Sequence, residues 1–248
     1  MKNPVKTAGP SPSIRPNWRL WQALGVVGLL LAIIAGLVVL RPWYHQKQAF
    51  AEIERLGGYY ESEPVGPEWF QKLVGDELLA GFGDGLYVDL SDTPVTDAEL
   101  EYLKRLPELE ELMLPNTQIT DTGLKHLRGL TRLKVLNLGY TRVTDAGLEH
   151  LKGLTRLESL ALFETRVSGA GFKYLKGLTE LYELQLGHTQ VTGTGLKHFN
   201  RLTKLESIYL DNSRITDAEL QHLRGLTRLT DLWFIRLKRT WLCESRGF

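Results

Sequence analysis

The stretch LKVLNLGYTRVTDAGLEHLKGLTR, residues 133–156, decides the fold, because near-copies of it fill most of the chain. Complete 24-residue units begin at Gly85, Leu109, Leu133, Leu157, Leu181 and Leu205, and a seventh opens as LTDLWF at Leu229 before the pattern is lost. In each unit a short alternating run, such as Leu112-Met113-Leu114, suits a strand with its leucines turned inward. Leu124, Leu127 and Leu130 then recur at helical spacing toward the same core. One unit cannot close a core by itself, whereas stacked neighbours share a continuous one. The pattern predicts an α/β solenoid, with a parallel sheet of strands about 4.8 Å apart on its concave side and helices on its convex side.

Ahead of the repeats, ALGVVGLLLAIIAGLVVL (Ala23 to Leu40) is apolar or Gly throughout, with Trp21 before it and Trp43 and Tyr44 after it. Its length and aromatic flanks are those of a transmembrane helix, which needs about 20 residues. The run outlasts a signal-peptide core and ends in VVLRPWY, without a small-x-small cleavage site, so it reads as an uncleaved anchor. Lys2, Lys6, Arg15 and Arg19 precede it with no acid, and Arg41, Lys47 and Arg55 follow it. That balance favours a cytoplasmic N-terminus at the cell membrane and an extracytoplasmic repeat domain. Gly28, Ala32 and Gly36 share one helix face at four-residue spacing, which makes a homodimer through the membrane helix a candidate.

The expected organisation is a cytoplasmic tail at 1–20, a transmembrane helix at 21–40, a juxtamembrane linker and N-terminal cap at 41–84, the repeats at 85–235 and an irregular tail at 236–248. In the cap, Ala49 to Leu56 reads as a helix that Gly57-Gly58 ends. Pro67 suits a second helix start, with Trp69, Phe70 and Leu73 covering the first unit.

Leu109, Leu112, Leu114, Thr117, Ile119, Leu124, Leu127 and their copies every 24 positions resemble the leucine-rich-repeat family. Where many such repeats carry Asn, this chain has Thr93, Thr117, Thr141, Thr165, Thr189 and Ser213. The physical demand is the same, a buried side chain that bonds backbone groups at the turn after the strand. With its anchor, short cap and TDAGLxHLxxLTxL units, the chain is similar more narrowly to bacterial single-pass membrane-anchored leucine-rich-repeat proteins. That resemblance implies a recognition module without a defined activity.

Composition narrows the function. Lys and Arg number 30 against 29 Asp and Glu, and beyond residue 40 the acids are in excess. Nucleic acid is therefore disfavoured as a partner, since its binding rests on clustered cations. The single Cys243 excludes an intrachain disulfide and a multi-Cys zinc site. GFGDG at 81–85 lacks the glycine spacing and following Lys-Ser/Thr of a phosphate loop, and no nucleophile motif or Walker-type loop is present. A non-enzyme without cofactor or metal is expected.

Asp145 has counterparts in Asp97, Asp121 and Asp217, with Gly169 and Gly193 in the remaining two units. Its place at the start of the helical stretch predicts a helix cap, and Thr96 with Glu99 and Thr216 with Glu219 fit the capping-box pattern. His150 belongs to a column of Tyr102, His126, Tyr174, His198 and His222, which reads as packing rings rather than metal ligands. Partner recognition is expected of the strands' outward residues, which vary from unit to unit. Glu111, Met113, Asn137, Tyr140, Phe163, Gln185, Tyr209, Asp211 and Trp233 are the expected contacts, for a protein or peptide with some basic character. Two other roles fit the same chain: an envelope protein that self-associates through its membrane helix, and a substrate adaptor for an intracellular complex such as a ubiquitin ligase.

Overall fold

The computed structural model describes residues 26–30, 41–62 and 85–234. The chain divides into two compact units, Met1–Pro42 and Trp43–Phe248. Of the apolar run only residues 26–30 are described, and they are helical. Among the described residues no helix is long and apolar enough to cross a membrane. Ala32, Gly36, Trp69, Phe70, Leu73 and the tail at 236–248 lie outside the described residues.

The repeats build one sheet from β2 (Leu86–Asp89), β3 (Leu109–Met113), β4 (Val135–Asn137), β5 (Ser159–Ala161), β6 (Glu183–Gln185), β7 (Ser207–Tyr209) and β8 (Asp231–Trp233), each parallel to the last. Register follows the 24-residue period, so that Leu112, Leu136, Leu160, Leu184, Ile208 and Leu232 stand side by side. The strands' leucines and those of the return segment fill a single core that runs from Ala49 to Leu226.

The return segments are 3-10 helices, at Glu99–Arg105, Gly123–Leu127, Gly147–Leu151, Ala170–Gly177, Lys197–Arg201 and Asp217–Leu223. A single α-helical turn, α2 (Gly193–Leu196), precedes the fifth. The expected convex helices are present and are almost all of the 3-10 kind, which the leucine spacing helps to explain. Residues at i, i+3 and i+6 fall in one line at three residues per turn, whereas at 3.6 per turn they drift around the helix. Leu124 and Leu127 reach the core in this way, and Leu130 reaches it from the turn that follows the helix.

Each unit turns through one residue with positive φ: Asp92, Asn116, Tyr140, Glu164, His188 and Asn212, with φ between 52° and 57°. The residue after it is the buried Thr, whose hydroxyl donates to the carbonyl three residues earlier at 2.6 to 2.7 Å in five units. In the sixth unit the buried Ser213 Oγ has no partner among the described residues. Ser213→Thr should therefore stabilise the fold by about 0.5–1 kcal/mol, by fixing the hydroxyl and filling space with a methyl; a fall in the urea midpoint would contradict this.

The first unit is covered by α1 (Arg41–Arg55), which buries Ala49, Phe50 and Ile53. Gly57, at φ 83°, ends the helix, and Gly58 N–H closes back on the Ile53 carbonyl at 2.9 Å. The chain then adds β1 (Tyr59–Glu61), antiparallel to β2, and Tyr60 stacks on Phe50 with centroids 4.2 Å apart. An antiparallel first strand had no counterpart in the sequence reading.

Asp145 is not a helix cap. Its carboxylate accepts the Ser168 N–H and hydroxyl, the Gly169 N–H and the Gly171 N–H of the following unit. Asp97 takes the N–H and hydroxyl of Thr120, and Asp121 those of Thr144, in the same sense. The side chain points along the array, where the next turn presents donors that no strand satisfies. Glu99 and Glu219 do reach back locally, accepting the N–H and hydroxyl of Thr96 and Thr216. Those two bonds hold both carboxyls below the usual range.

Candidate recognition surface

Positions 3 and 5 of every unit point away from the core and make the open face of the sheet. One ladder reads Tyr87, Glu111, Val135, Ser159, Glu183, Ser207, Asp231, and the other reads Asp89, Met113, Asn137, Ala161, Gln185, Tyr209, Trp233. Tyr59 and Glu61 join them, because they pair with Asp89 and Tyr87. The face thus carries Glu61, Asp89, Glu111, Glu183 and Asp231 and, among the described residues, no Lys or Arg at a strand's outward position.

Aromatic rings stand at both ends of this face. Tyr59 and Tyr87 lie 6.4 Å apart at the first end. At the other, Tyr209 and Trp233 stack almost parallel, 6.2 Å apart, and Trp233 remains 52% exposed. Between them Ser159 and Ala161 are only 8% and 5% exposed, so the middle of the face is a low floor walled by larger neighbours. Ser159 Oγ and Gln185 Nε2 both donate to Glu183, which fixes that carboxylate in place.

The acids shape the face electrostatically. Tyr87 is pushed up to about 12, first by burial and then by its hydrogen bond to Asp89 and the charges of Asp89 and Glu111. Burial pushes Asp89 up, but donors from Ser91 and Tyr87 outweigh it and hold the carboxyl below its usual range. Tyr209 is raised by burial and by Glu183, Asp231 and Asp211. A cation arriving here meets fixed negative charge beside exposed rings, the setting in which ion pairing and cation–π attraction reinforce each other.

Of the expected contacts, Glu111, Met113, Asn137, Gln185, Tyr209 and Trp233 stand on this face. Tyr140, Phe163 and Asp211 lie beyond it, in the turns that follow β4, β5 and β7. Gly28 is described, and a Cβ there would meet nothing within 4 Å among the described residues. Tyr182, 42% exposed beside Glu158, Glu180, Lys204, Glu206 and Arg228 at the strand entrances, was not among the expected residues. It precedes its strand by one residue, where inward–outward alternation makes no assignment.

On the opposite side, Tyr102 and Tyr174 pack against the core, and His126, His150 and His198 are half-buried. His150 Nδ1 receives the Arg128 guanidinium, at 3.1 Å from Nε. Burial, and then Arg128, hold the imidazole below its usual pKa, as burial does for His198. No group of three His, Cys, Asp or Glu side chains suited to a metal occurs among the described residues.

The family model for leucine rich repeats matches residues 107–167 and 179–233. The array belongs to the leucine-rich-repeat family. Among solved structures, the leucine-rich repeats here are similar to internalin C2 of Listeria monocytogenes, 26% identical over 61% of this chain and 74% of that one, with a TM-score of 0.47. Internalin F of the same organism is 22% identical over 61% of this chain, with a TM-score of 0.44, and only 49% of its own length is spanned. No curated protein sequence matches this chain.

Proposed function

We propose that this leucine-rich-repeat protein is a membrane-anchored, non-catalytic recognition module that binds a basic segment of another protein on the open face of its sheet. The observation that supports this is the face's composition: five carboxylates, no cation among the described outward positions, and a ring pair at each end. Six strand spacings separate β2 from β8, roughly 29 Å at about 4.8 Å each. An extended segment of about nine residues spans that length. Its Lys or Arg side chains would pair with Glu111, Glu183 and Asp231, and an apolar or aromatic residue would settle on Trp233.

A random Lys–Tyr copolymer is a suitable probe for the full chain held in mild detergent. Binding should weaken by about tenfold or more in the Tyr209→Ala/Trp233→Ala protein, since exposed stacked aromatics are where interface energy concentrates. The urea midpoint should change little, because Trp233 leaves half its surface in water. Equal binding by the parent and the double variant would refute the assignment.

Anchoring rests on the apolar run from Ala23 to Leu40 with its aromatic flanks. Labelling Cys243 in intact cells with a membrane-impermeant thiol reagent, against a permeabilised control, tests on which side the repeats lie. Labelling only after permeabilisation would place them in the cytoplasm. Self-association through Gly28, Ala32 and Gly36 is tested by crosslinking the Gly28→Ile protein, and unchanged crosslinking would remove that reading.

A further inference from the structure

We propose that the turn edge beside the open face is a second interaction surface, which docks an acidic segment of a partner protein on Tyr140, Phe163, Arg142 and Arg166. The starting observation is backbone strain at the surface. Tyr140 has φ 54°, a left-handed conformation that suits Asn and Asp and disfavours a bulky ring. The same place in other units holds Asp92, Asn116, Glu164, His188 and Asn212. Tyr140 is also 56% exposed, so burial does not offset the strain. Strain kept at an exposed ring points to use of that ring.

The ring is propped from the next unit. Phe163 lies over Gly139, where a Cβ would come within 2.3 Å of its ring, and meets Tyr140 edge-on with centroids 5.2 Å apart. The two rings form a shelf that faces water. Arg142 and Arg166 follow them in the same two turns, and their backbones lie on adjacent rungs, with Arg166 N–H bonded to the Val143 carbonyl at 3.0 Å. Both arginines are exposed, and neither has a carboxylate partner among the described residues. The rest of their column is Pro94, Gln118, Gln190 and Arg214, with no acid. The nearby Glu164 is engaged with His188, 3.4 Å from its Nδ1.

Two guanidiniums on adjacent rungs take carboxylates in bidentate geometry, and the shelf takes an aliphatic or aromatic side chain between them. The matching partner is an acidic protein segment that also carries an apolar residue. A nucleic acid fits less well, because the neighbouring open face is lined with carboxylates that repel a polyanion. This surface has the opposite charge preference to the open face and stands independently of the function proposed for that face.

The test uses a random Glu–Tyr copolymer on the full chain in mild detergent. The Arg142→Glu/Arg166→Glu protein should bind at least about tenfold more weakly, the effect of losing two charge-assisted pairs. Tyr140→Asn should weaken binding about fivefold without lowering the urea midpoint, because Asn already occupies this conformation at 116 and 212. Lys125→Glu/Lys176→Glu, an equal charge change on the 3-10 side, should leave binding within about twofold, as only screened long-range charge is altered. Absence of copolymer binding, equal binding by the Arg142→Glu/Arg166→Glu protein, or an equal loss in the Lys125→Glu/Lys176→Glu control would overturn the proposal. The Lys–Tyr copolymer, read in parallel, reports on the open face separately.

Discussion

Replacing Asp145 with alanine is expected to destabilise the protein by about 3 kcal/mol, the larger of the expected effects of removing one side chain at a unit boundary. Four donors of the next unit converge on this carboxylate: the Ser168 hydroxyl and the N–H groups of Ser168, Gly169 and Gly171. Bonds to a charged acceptor contribute about 1.5–3 kcal/mol each when removed singly, and they do not add. Gly171 is buried, so its N–H loses its acceptor with little access to water. In a stacked array the loss falls on the coupling between units, and weakened coupling lets the two halves unfold apart. Urea unfolding of Asp145→Ala should therefore show a lower midpoint and a broadened or split transition. Asp217→Ala is the control. Asp217 is exposed with no hydrogen-bond partner for its carboxylate among the described residues, and its loss should cost less than about 0.5 kcal/mol. Equal midpoints for the two variants would show that the Asp column does not join the units.

Gly171→Ala should be comparably severe, at about 3 kcal/mol or more, for a steric reason. A Cβ at 171 would lie 2.5 Å from the Asp145 carbonyl oxygen and 2.9 Å from the Asp145 Cα. Both obstacles are backbone, so the boundary must open for the methyl to fit, and overpacking that moves backbone is among the costlier substitutions. Gly153 recurs just as regularly, in the LKGLTR part of the unit, yet a Cβ there would meet nothing within 4 Å and the backbone is not left-handed. Gly153→Ala should raise stability by roughly 0.5 kcal/mol through the unfolded chain's lost freedom. Parallel urea titrations decide the matter, and a stabilised Gly171→Ala protein would mean that the boundary is looser than the structure shows.

The period, the strands and the inward leucines were legible because each rests on a local spacing that one unit displays in full. The role of Asp145 was not legible from its own unit, since its partners lie 23 to 26 residues later. Comparison of adjacent units contains the signal. Gly123, Gly147 and Gly171 follow units that carry Asp97, Asp121 and Asp145, whereas Glu219 follows a unit with Gly193 and fills the space there. β1 escaped notice because Tyr59 to Glu61 lie ahead of the array and have no copies 24 residues on, whereas the other three-residue strands were marked by the period. The outward strand residues could be placed from period two alone. Tyr140 and Phe163 could not, because both lie past the ends of their strands, and Tyr140 is itself in the left-handed conformation.

The Asp and Gly pairing across boundaries also limits how such an array can change over time. Where a unit that carries Asp is followed by another complete unit, that unit has TDxG or SGxG, as at Gly123, Gly147 and Gly171, because a side chain at that place would strike the carboxylate or its backbone. The unit with Glu219 tolerates its present predecessor because Gly193 leaves the space open. Transplanted behind residues 133–156, it would drive Glu219 into Asp145. Duplication or exchange of units is thus confined to joins that preserve the match, and the order of units is itself under steric selection, apart from anything the array binds.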